Sequence, residues 1–282
     1  FTSSNAVYAF DIESGEEVWS YESESRMGFV APLALVDGVL YAAGEDGSVY
    51  AFEPDSGEII WQSELTDGMP VNGGPLVNGE ILYVTAWDGT AYALEAETGD
   101  VIWDMSFGGI SYGQPAYADG YIVLSAPSGG AMAIDVEEED EVWTFETDGT
   151  VYAANSIADG VVYVGSDAGD LHAIDLESGD EIWSVDTGAA LMTALTIFDG
   201  VLYAANSESE LSAYDAESGD ELWSSDIDGS NPGGIAVAFT EDDDLLILVG
   251  DGDGVLYAFD EEGEEVYSVE VTDGSIFWPA TV

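Results

Sequence analysis

The stretch LHAIDLESGDEIWS, residues 171–184, decides the fold because close copies of it recur along the whole chain. The clear copies are VYAFDIESGEEVWS (7–20), VYAFEPDSGEIIWQ (49–62), AYALEAETGDVIWD (91–104), LSAYDAESGDELWS (211–224) and LYAFDEEGEEVYS (256–268). A degenerate copy, AMAIDVEEEDEVWT, occupies residues 131–144. The aromatic residue near the end of each copy recurs at intervals of 40–44 residues. A repeat of about 40 residues has the length of one four-stranded propeller blade.

Each repeat predicts four short strands. In residues 31–65 the segments APLALV, VLYAAG, SVYAFE and EIIWQSEL alternate apolar with polar residues and are separated by glycine-containing turns. The first turn is Asp-Gly, which suits a two-residue hairpin whose residues both need positive φ. This hairpin signal occurs at Asp37-Gly38, Asn78-Gly79, Asp119-Gly120, Asp159-Gly160 and Asp199-Gly200. The prediction is an all-β protein, a seven-bladed β-propeller of four-stranded antiparallel blades that forms a single domain over residues 1–282.

The two ends of the chain are expected to share one blade. The interval from Tyr267 through the C-terminus and the N-terminus to Trp19 is shorter than one repeat. SIFWPATV, residues 275–282, matches an innermost strand, and residues 1–11 match the strands that follow it. Pairing of the N- and C-terminal strands in one blade would close the ring and leave no free sheet edge there.

The charge is extreme: the chain has 59 acidic residues, one basic residue and a net charge of −58. Hydrophobic residues still make up 46% of it, which is enough for a large core. At about 1 M salt the Debye length falls to about 3 Å, so most of the repulsion among the carboxylates disappears. The composition resembles that of haloarchaeal proteins and predicts a halophilic protein. It also excludes a phosphate-neutralising surface, so no nucleic-acid partner is expected.

Two further observations concern the cellular setting. The chain has no cysteine, and no apolar run approaches the roughly 20 residues of a membrane span. It begins at Phe1 rather than Met. We expect an exported protein, extracellular or at the cell surface, without direct membrane insertion.

The pattern (V/L)YA(F/I/L)D-x-E-(S/T)-G-(D/E)-x-x-W resembles the PQQ-like repeat, and the resemblance covers the whole chain. This repeat occurs in quinoprotein alcohol dehydrogenases, in the outer-membrane assembly lipoprotein of Gram-negative bacteria and in many secreted haloarchaeal proteins. The resemblance implies the propeller fold, whereas it does not by itself imply one function.

The sequence contains few residues that could support catalysis. The quinoprotein dehydrogenases that share this repeat hold a quinone with a tryptophan, a vicinal cysteine pair, basic side chains and Ca²⁺. This chain has no cysteine, and its one Lys or Arg residue is Arg26. We predict no catalytic residue, no metal site and no cofactor, with weak binding of Ca²⁺ or Na⁺ by the acidic turns left open. The lone His172 is expected to pack rather than to bind a metal. A diverged PQQ-dependent dehydrogenase stays an alternative.

The two faces of the predicted propeller differ. One face collects the acidic turns, and the other collects aromatic and amide side chains, among them Trp87 in a turn where other repeats have Glu45 or Asp167. An exposed tryptophan there suggests a recognition surface, although ordinary packing of inner strands explains the same residues equally well. The predicted partner-binding residues are Arg26, Trp87, Tyr112, Gln114, Tyr152, Asn155, Phe277 and Trp278. The hypothesis is a non-catalytic binding or scaffold propeller for a protein or peptide, and the further alternative is a structural surface subunit that self-assembles.

Overall fold

A computed structural model describes residues 2–3, 6–23, 28–29, 31–111, 113–126, 129–240, 243–272 and 276. Every regular element within these residues is a β-strand. No helix among them could cross a membrane. The chain divides into two compact units, which are described separately: unit 1 is residues 1–128 with 134–141, and unit 2 is residues 129–133 with 142–282. The single domain over residues 1–282 stays a prediction.

The described strands form seven sheets, called blades 1–7 in chain order, in which strands pair in sequence order. Blade 1 contains β1 (Thr2–Ser3), β2 (Ala6–Phe10) and β3 (Glu17–Glu22); blade 2 contains β4 (Ala34–Val36), β5 (Val39–Ala43), β6 (Ser48–Phe52) and β7 (Ile59–Glu64). Blade 3 contains β8 (Leu76–Asn78), β9 (Ile81–Ala86), β10 (Thr90–Glu95) and β11 (Val101–Ser106); blade 4 contains β12 (Ala116–Ala118), β13 (Tyr121–Ser125), β14 (Ala131–Asp135) and β15 (Asp140–Phe145). Blade 5 contains β16 (Ser156–Ala158), β17 (Val161–Gly165), β18 (Asp170–Asp175) and β19 (Glu181–Asp186). Blade 6 contains β20 (Thr196–Phe198), β21 (Val201–Ala205), β22 (Glu210–Asp215) and β23 (Glu221–Asp226); blade 7 contains β24 (Ile235–Phe239), β25 (Leu245–Gly250), β26 (Val255–Phe259) and β27 (Glu265–Glu270).

This architecture confirms the predicted all-β class with seven blades built of antiparallel strands. Blade 1 has three described strands, and the strand predicted to complete it, residues 275–282, lies outside the described residues except for Ile276. Closure by the two chain ends therefore stays a prediction.

The hairpins that follow the innermost strands obey the predicted turn chemistry with one correction. Asp159 and Gly160 have φ of 51° and 76°, as a type I′ turn requires, and Asp37, Asp119 and Asp199 repeat this geometry. In blade 3 the prediction of an Asn78-Gly79 turn is wrong by one residue: Asn78 ends β8. The turn is Gly79-Glu80, since a type II′ turn needs positive φ only at its first residue, here 60° at Gly79.

In five of the blades the repeated tryptophan of the outermost strand contacts the next blade. In unit 2, Trp143 Nε1 donates to the Leu176 carbonyl at 2.8 Å, and a Cβ added at Gly179 would lie 2.5 Å from the Trp143 ring. The glycine of one repeat is thus required by the tryptophan of the preceding repeat. The same indole-to-carbonyl bond is made by Trp19 to Pro54, Trp61 to Ala96, Trp183 to Ala216 and Trp223 to Glu261. These contacts confirm that the tryptophans pack between blades.

The core of each unit consists of the middle strands of its blades. In β18, Leu171, Ala173 and Ile174 are fully buried, whereas the outermost strand β19 alternates exposed with half-buried residues. Polar residues therefore lie at the outer edges of the sheets and apolar ones between the sheets. In the short loops that precede the innermost strands, some polar residues replace the apolar or small residues of the repeat.

Candidate partner-binding loops

A loop of unit 2, residues 150–155, precedes the innermost strand of blade 5. It lies against the turn between β17 and β18 of the same blade. Thr150 N–H donates to Asp167 Oδ1 at 2.7 Å, and Asp167 N–H donates back to the Thr150 carbonyl at 3.0 Å. This reciprocal pair fixes the start of the loop and occupies the Asp167 carboxylate.

A second loop, residues 190–195, precedes the innermost strand of blade 6 and lies against the same turn. Leu191 N–H donates to the Ser166 carbonyl at 2.9 Å, and the Leu191 side chain covers Gly165, where an added Cβ would lie 2.9 Å from it. One turn of blade 5 thus holds both loops, and we call residues 150–155 and 190–195 the paired loops.

The paired loops share one pattern of exposure. Residues 151–155 and 191–195 each read buried, exposed, half-buried, half-buried, buried. The exposed residues are Tyr152, 37% exposed, and Met192, 48% exposed. Large side chains with apolar area are thereby presented to solvent from neighbouring blades, as in protein-binding surfaces.

The paired loops also contain polar atoms without protein partners. Asn155 is only 5% exposed, and neither its Nδ2 nor its Oδ1 makes a hydrogen bond. The Thr193 hydroxyl is also shielded from solvent and unpaired. A buried polar group without a partner is destabilising by about 1–3 kcal/mol, so such groups are rare in folded proteins.

Asn206 of the same unit is a buried amide whose side chain is fully hydrogen-bonded. It is likewise 5% exposed, but its Oδ1 accepts the N–H groups of Glu208 and Glu210 at 3.0 and 3.1 Å. Its Nδ2 donates to Glu210 Oε2 at 3.1 Å and to the Thr187 carbonyl at 3.3 Å. Asn206 stabilises its turn, whereas Asn155 has no comparable structural role.

The other blades show that these polar residues depart from the repeat. The residue immediately before the innermost strand is Asn155 in blade 5, and the equivalent residues are Leu33, Pro75, Pro115 and Leu195. The position of Thr193 is taken elsewhere by Ala31, Gly73, Gly113 and Ala153. Polar side chains have thus entered otherwise apolar or tiny positions of two consecutive blades, and departures of this kind mark functional positions.

Unit 1 contains Trp87 and Gln114. Trp87 is partly buried, not exposed as expected from the sequence, and its backbone N–H donates to the Pro70 carbonyl at 2.9 Å. Its indole Nε1 is shielded and without an acceptor. Gln114 Nε2 donates to the Pro75 carbonyl at 3.0 Å, so this amide links the segments that precede the innermost strands of blades 3 and 4.

Four of the eight predicted binding residues, Arg26, Tyr112, Phe277 and Trp278, lie outside the described residues. Among the rest, the structure places Tyr152 and Asn155 on one loop of unit 2, and Trp87 and Gln114 in unit 1. The sequence prediction of binding residues omitted Thr193, although comparing the loops repeat by repeat would have identified it.

His172 lies in a cleft elsewhere in unit 2. Its Nδ1 is 2.9 Å from Glu181 Oε2, and its ring meets the Phe145 ring edge to face at 5.1 Å, which confirms the expected packing role. The cleft has a volume of about 350 Å³ and is otherwise lined mainly by carboxylates. Nowhere in the described part of the chain do three or more His, Cys, Asp or Glu side chains form a group that could hold a metal ion.

A sequence comparison identifies the family. The family described as outer membrane protein assembly factor BamB matches residues 45–157 and 141–282, which is most of the chain. The chain belongs to the BamB family of PQQ-like repeats. No curated protein matches it.

Solved structures agree with this membership. BamB from Moraxella catarrhalis matches with a TM-score of 0.82 and 18% identity over 99% of this chain and 86% of that one. The computationally designed Ika8 protein matches with a TM-score of 0.69 and 14% identity over 89% of each chain. At such identities the likeness shows the fold alone, which is a BamB-like β-propeller. Within this BamB-family propeller, the paired loops of unit 2 combine buried, unpaired polar groups with exposed large side chains.

Proposed function

We propose that this BamB-family protein is a non-catalytic binding or scaffold propeller that recognises a protein partner through its paired loops. The observation that carries the proposal is the Asn155 amide, which is almost fully buried and has no hydrogen-bond partner, beside the exposed Tyr152. An unpaired buried amide lowers the stability of the fold. Such a group is therefore expected at a site where a bound partner supplies the missing hydrogen bonds.

The anchors fit protein recognition better than small-ligand binding. Tyr152 and Met192 project from adjacent loops, and tyrosine and methionine are enriched at protein interfaces. The family description, an outer membrane protein assembly factor, supports the same class of function. Trp87 and Gln114 of unit 1, with Arg26, Tyr112, Phe277 and Trp278, remain in the proposal as further binding residues.

The proposed setting is the cell surface or the exterior of a halophile. The net charge of −58 supports it, because only high salt screens so many carboxylates. Among the described residues the one contact between a basic and an acidic side chain is that of His172 with Glu181, so mutual repulsion of the many carboxylates is not offset by local pairing.

A PQQ-dependent enzyme is the second candidate, and the donor set does not fit the cofactor. The chain has no cysteine to form the vicinal pair and one basic residue to meet three cofactor carboxylates. A structural subunit that assembles with copies of itself is the third candidate, and sedimentation in molar NaCl distinguishes it from a monomeric binding protein.

The proposal is tested by crosslinking and then by binding. A photo-reactive amino acid at position 152 is used to capture and identify the partner from the envelope fraction of the source organism, with position 177 on an acidic turn as the control. The purified partner is then titrated against the wild type and against Tyr152→Ala with Met192→Ala. Losing two interface anchors should weaken binding by about tenfold or more.

The matched control is Glu177→Gln with Asp180→Asn, which changes two exposed side chains of the acidic turn. This variant should bind as the wild type does. The proposal is wrong if binding survives the loss of Tyr152 and Met192 and is lost when the acidic turn is neutralised.

A further inference from the structure

We infer that Asn155 receives a carboxamide group of the partner, the side chain of an asparagine or glutamine. The inference rests on the proposed function and specifies the chemistry of the recognised residue. Both polar atoms of the Asn155 side chain, the donor Nδ2 and the acceptor Oδ1, lack partners and are shielded from solvent. The side chain is therefore a complete and unused hydrogen-bonding edge in an almost fully buried residue.

The geometry of an amide selects its complement. A carboxamide presents one N–H and one C=O side by side in a plane, so a second carboxamide placed head to tail satisfies both at once. A carboxylate offers acceptors only and would leave Oδ1 unpaired, whereas an ammonium offers donors only and would leave Nδ2 unpaired. A site built for hydrogen bonds discriminates strongly against ligands that leave one of its buried groups unmet.

The surrounding charge disfavours a carboxylate as well. The Asp167 carboxylate is fixed to Thr150 at the start of the same loop, and the whole chain carries a net charge of −58. A neutral polar group avoids repulsion by these charges. It also avoids losing the hydration of a charge on entering a buried position.

The neighbouring side chains suit such an insertion. Residues 153 and 154 are half-buried and Tyr152 is more than one third exposed, so the insertion requires a side-chain movement within this loop. Thr193, on the other paired loop, adds a shielded hydroxyl that can bond to the main chain of the inserted residue. Tyr152 and Met192 would then cover its aliphatic part.

Side-chain amide signals in NMR spectra test this inference on the full chain in molar NaCl. The sequence has six asparagines and two glutamines, and loss of one signal pair in Asn155→Leu assigns the Asn155 amide. The probes are N-acetylglutamine methylamide, the similarly sized methionine derivative and the glutamate derivative. The glutamine probe should shift the Asn155 signals saturably, at a concentration on the order of tenfold or more below that of the other probes.

The Asn206 amide, equally buried and fully bonded, is the internal control and should not respond. The inference is overturned if the Asn155 signals stay unchanged up to the solubility limit of the glutamine probe, which would leave only ordered water there, or if the methionine probe shifts them equally. Either result leaves the proposed function standing, because that proposal fails only through the binding measurements with the Tyr152 and Met192 variant.

Discussion

Replacing Asn155 by leucine should make the protein more stable, which is unusual for a buried position. The substitution removes an amide whose two polar atoms are shielded and unpaired, a penalty of about 1–3 kcal/mol. It also introduces an apolar side chain at a position that blade 6 fills with Leu195, itself only 6% exposed. Full burial of leucine contributes about 1.5–3 kcal/mol, part of which imperfect fit will offset. We expect the free energy of unfolding to rise by about 1–3 kcal/mol, which is a Tm increase of a few degrees.

The matched variant is Asn206→Leu, which changes the same residue type at the same 5% exposure in the same unit. It removes four hydrogen bonds and leaves the N–H groups of Glu208 and Glu210 without acceptors, so a loss of about 2–4 kcal/mol is expected. Urea unfolding at a fixed molar NaCl concentration measures both changes, provided that the m-values agree. If Asn155→Leu destabilises the protein as much as Asn206→Leu does, the amide of Asn155 is structural and the reasoning is refuted.

Three further predictions concern the fold. Tm should rise steeply from dilute buffer to molar NaCl, because the Debye length shrinks from about 30 Å at 0.01 M to about 3 Å at 1 M, and a flat dependence would contradict the halophilic hypothesis. In urea unfolding, Gly179→Ala should destabilise the protein by about 1–3 kcal/mol more than Gly160→Ala does. Both glycines have positive φ, but only Gly179 contacts the Trp143 ring, so equal losses would show that this contact is dispensable. Burial and the hydrogen-bonded Asp88 carboxylate raise the pKa of Tyr92 to about 12 from the usual 10, so the stability from this group is complete below pH 10 and lost as the pH rises through 12. Tyr92→Phe should therefore weaken the alkaline fall in Tm, and an unchanged profile would contradict the assignment.

The strands and their turns could be predicted from the sequence because the forces that select them act locally. Alternation of apolar and polar residues chooses the strand, and a pair such as Asp159-Gly160 chooses the turn through its own φ preferences. The blade 3 turn was misplaced by one residue, since Asn-Gly and Gly-Glu both suit a tight hairpin and only the pairing of Asn78 with Ile81 decides between them. Repetition of the tryptophan also predicted its packing between blades, although not which carbonyl it meets.

What the tertiary structure alone decided is the state of individual polar groups. In the sequence, Asn155 and Asn206 are two asparagines among six, and only Asn206 begins a turn whose residues, Glu208 and Glu210, bond to its side chain. The tertiary fold adds the Thr187 carbonyl to the partners of Asn206, and it buries Asn155 without bringing any partner to its amide. The partial burial of Trp87 was likewise not evident from the residues of its own turn. The sequence thus determined the repeated scaffold through local preferences, whereas the fold decided which buried polar side chains of the candidate loops find hydrogen-bond partners.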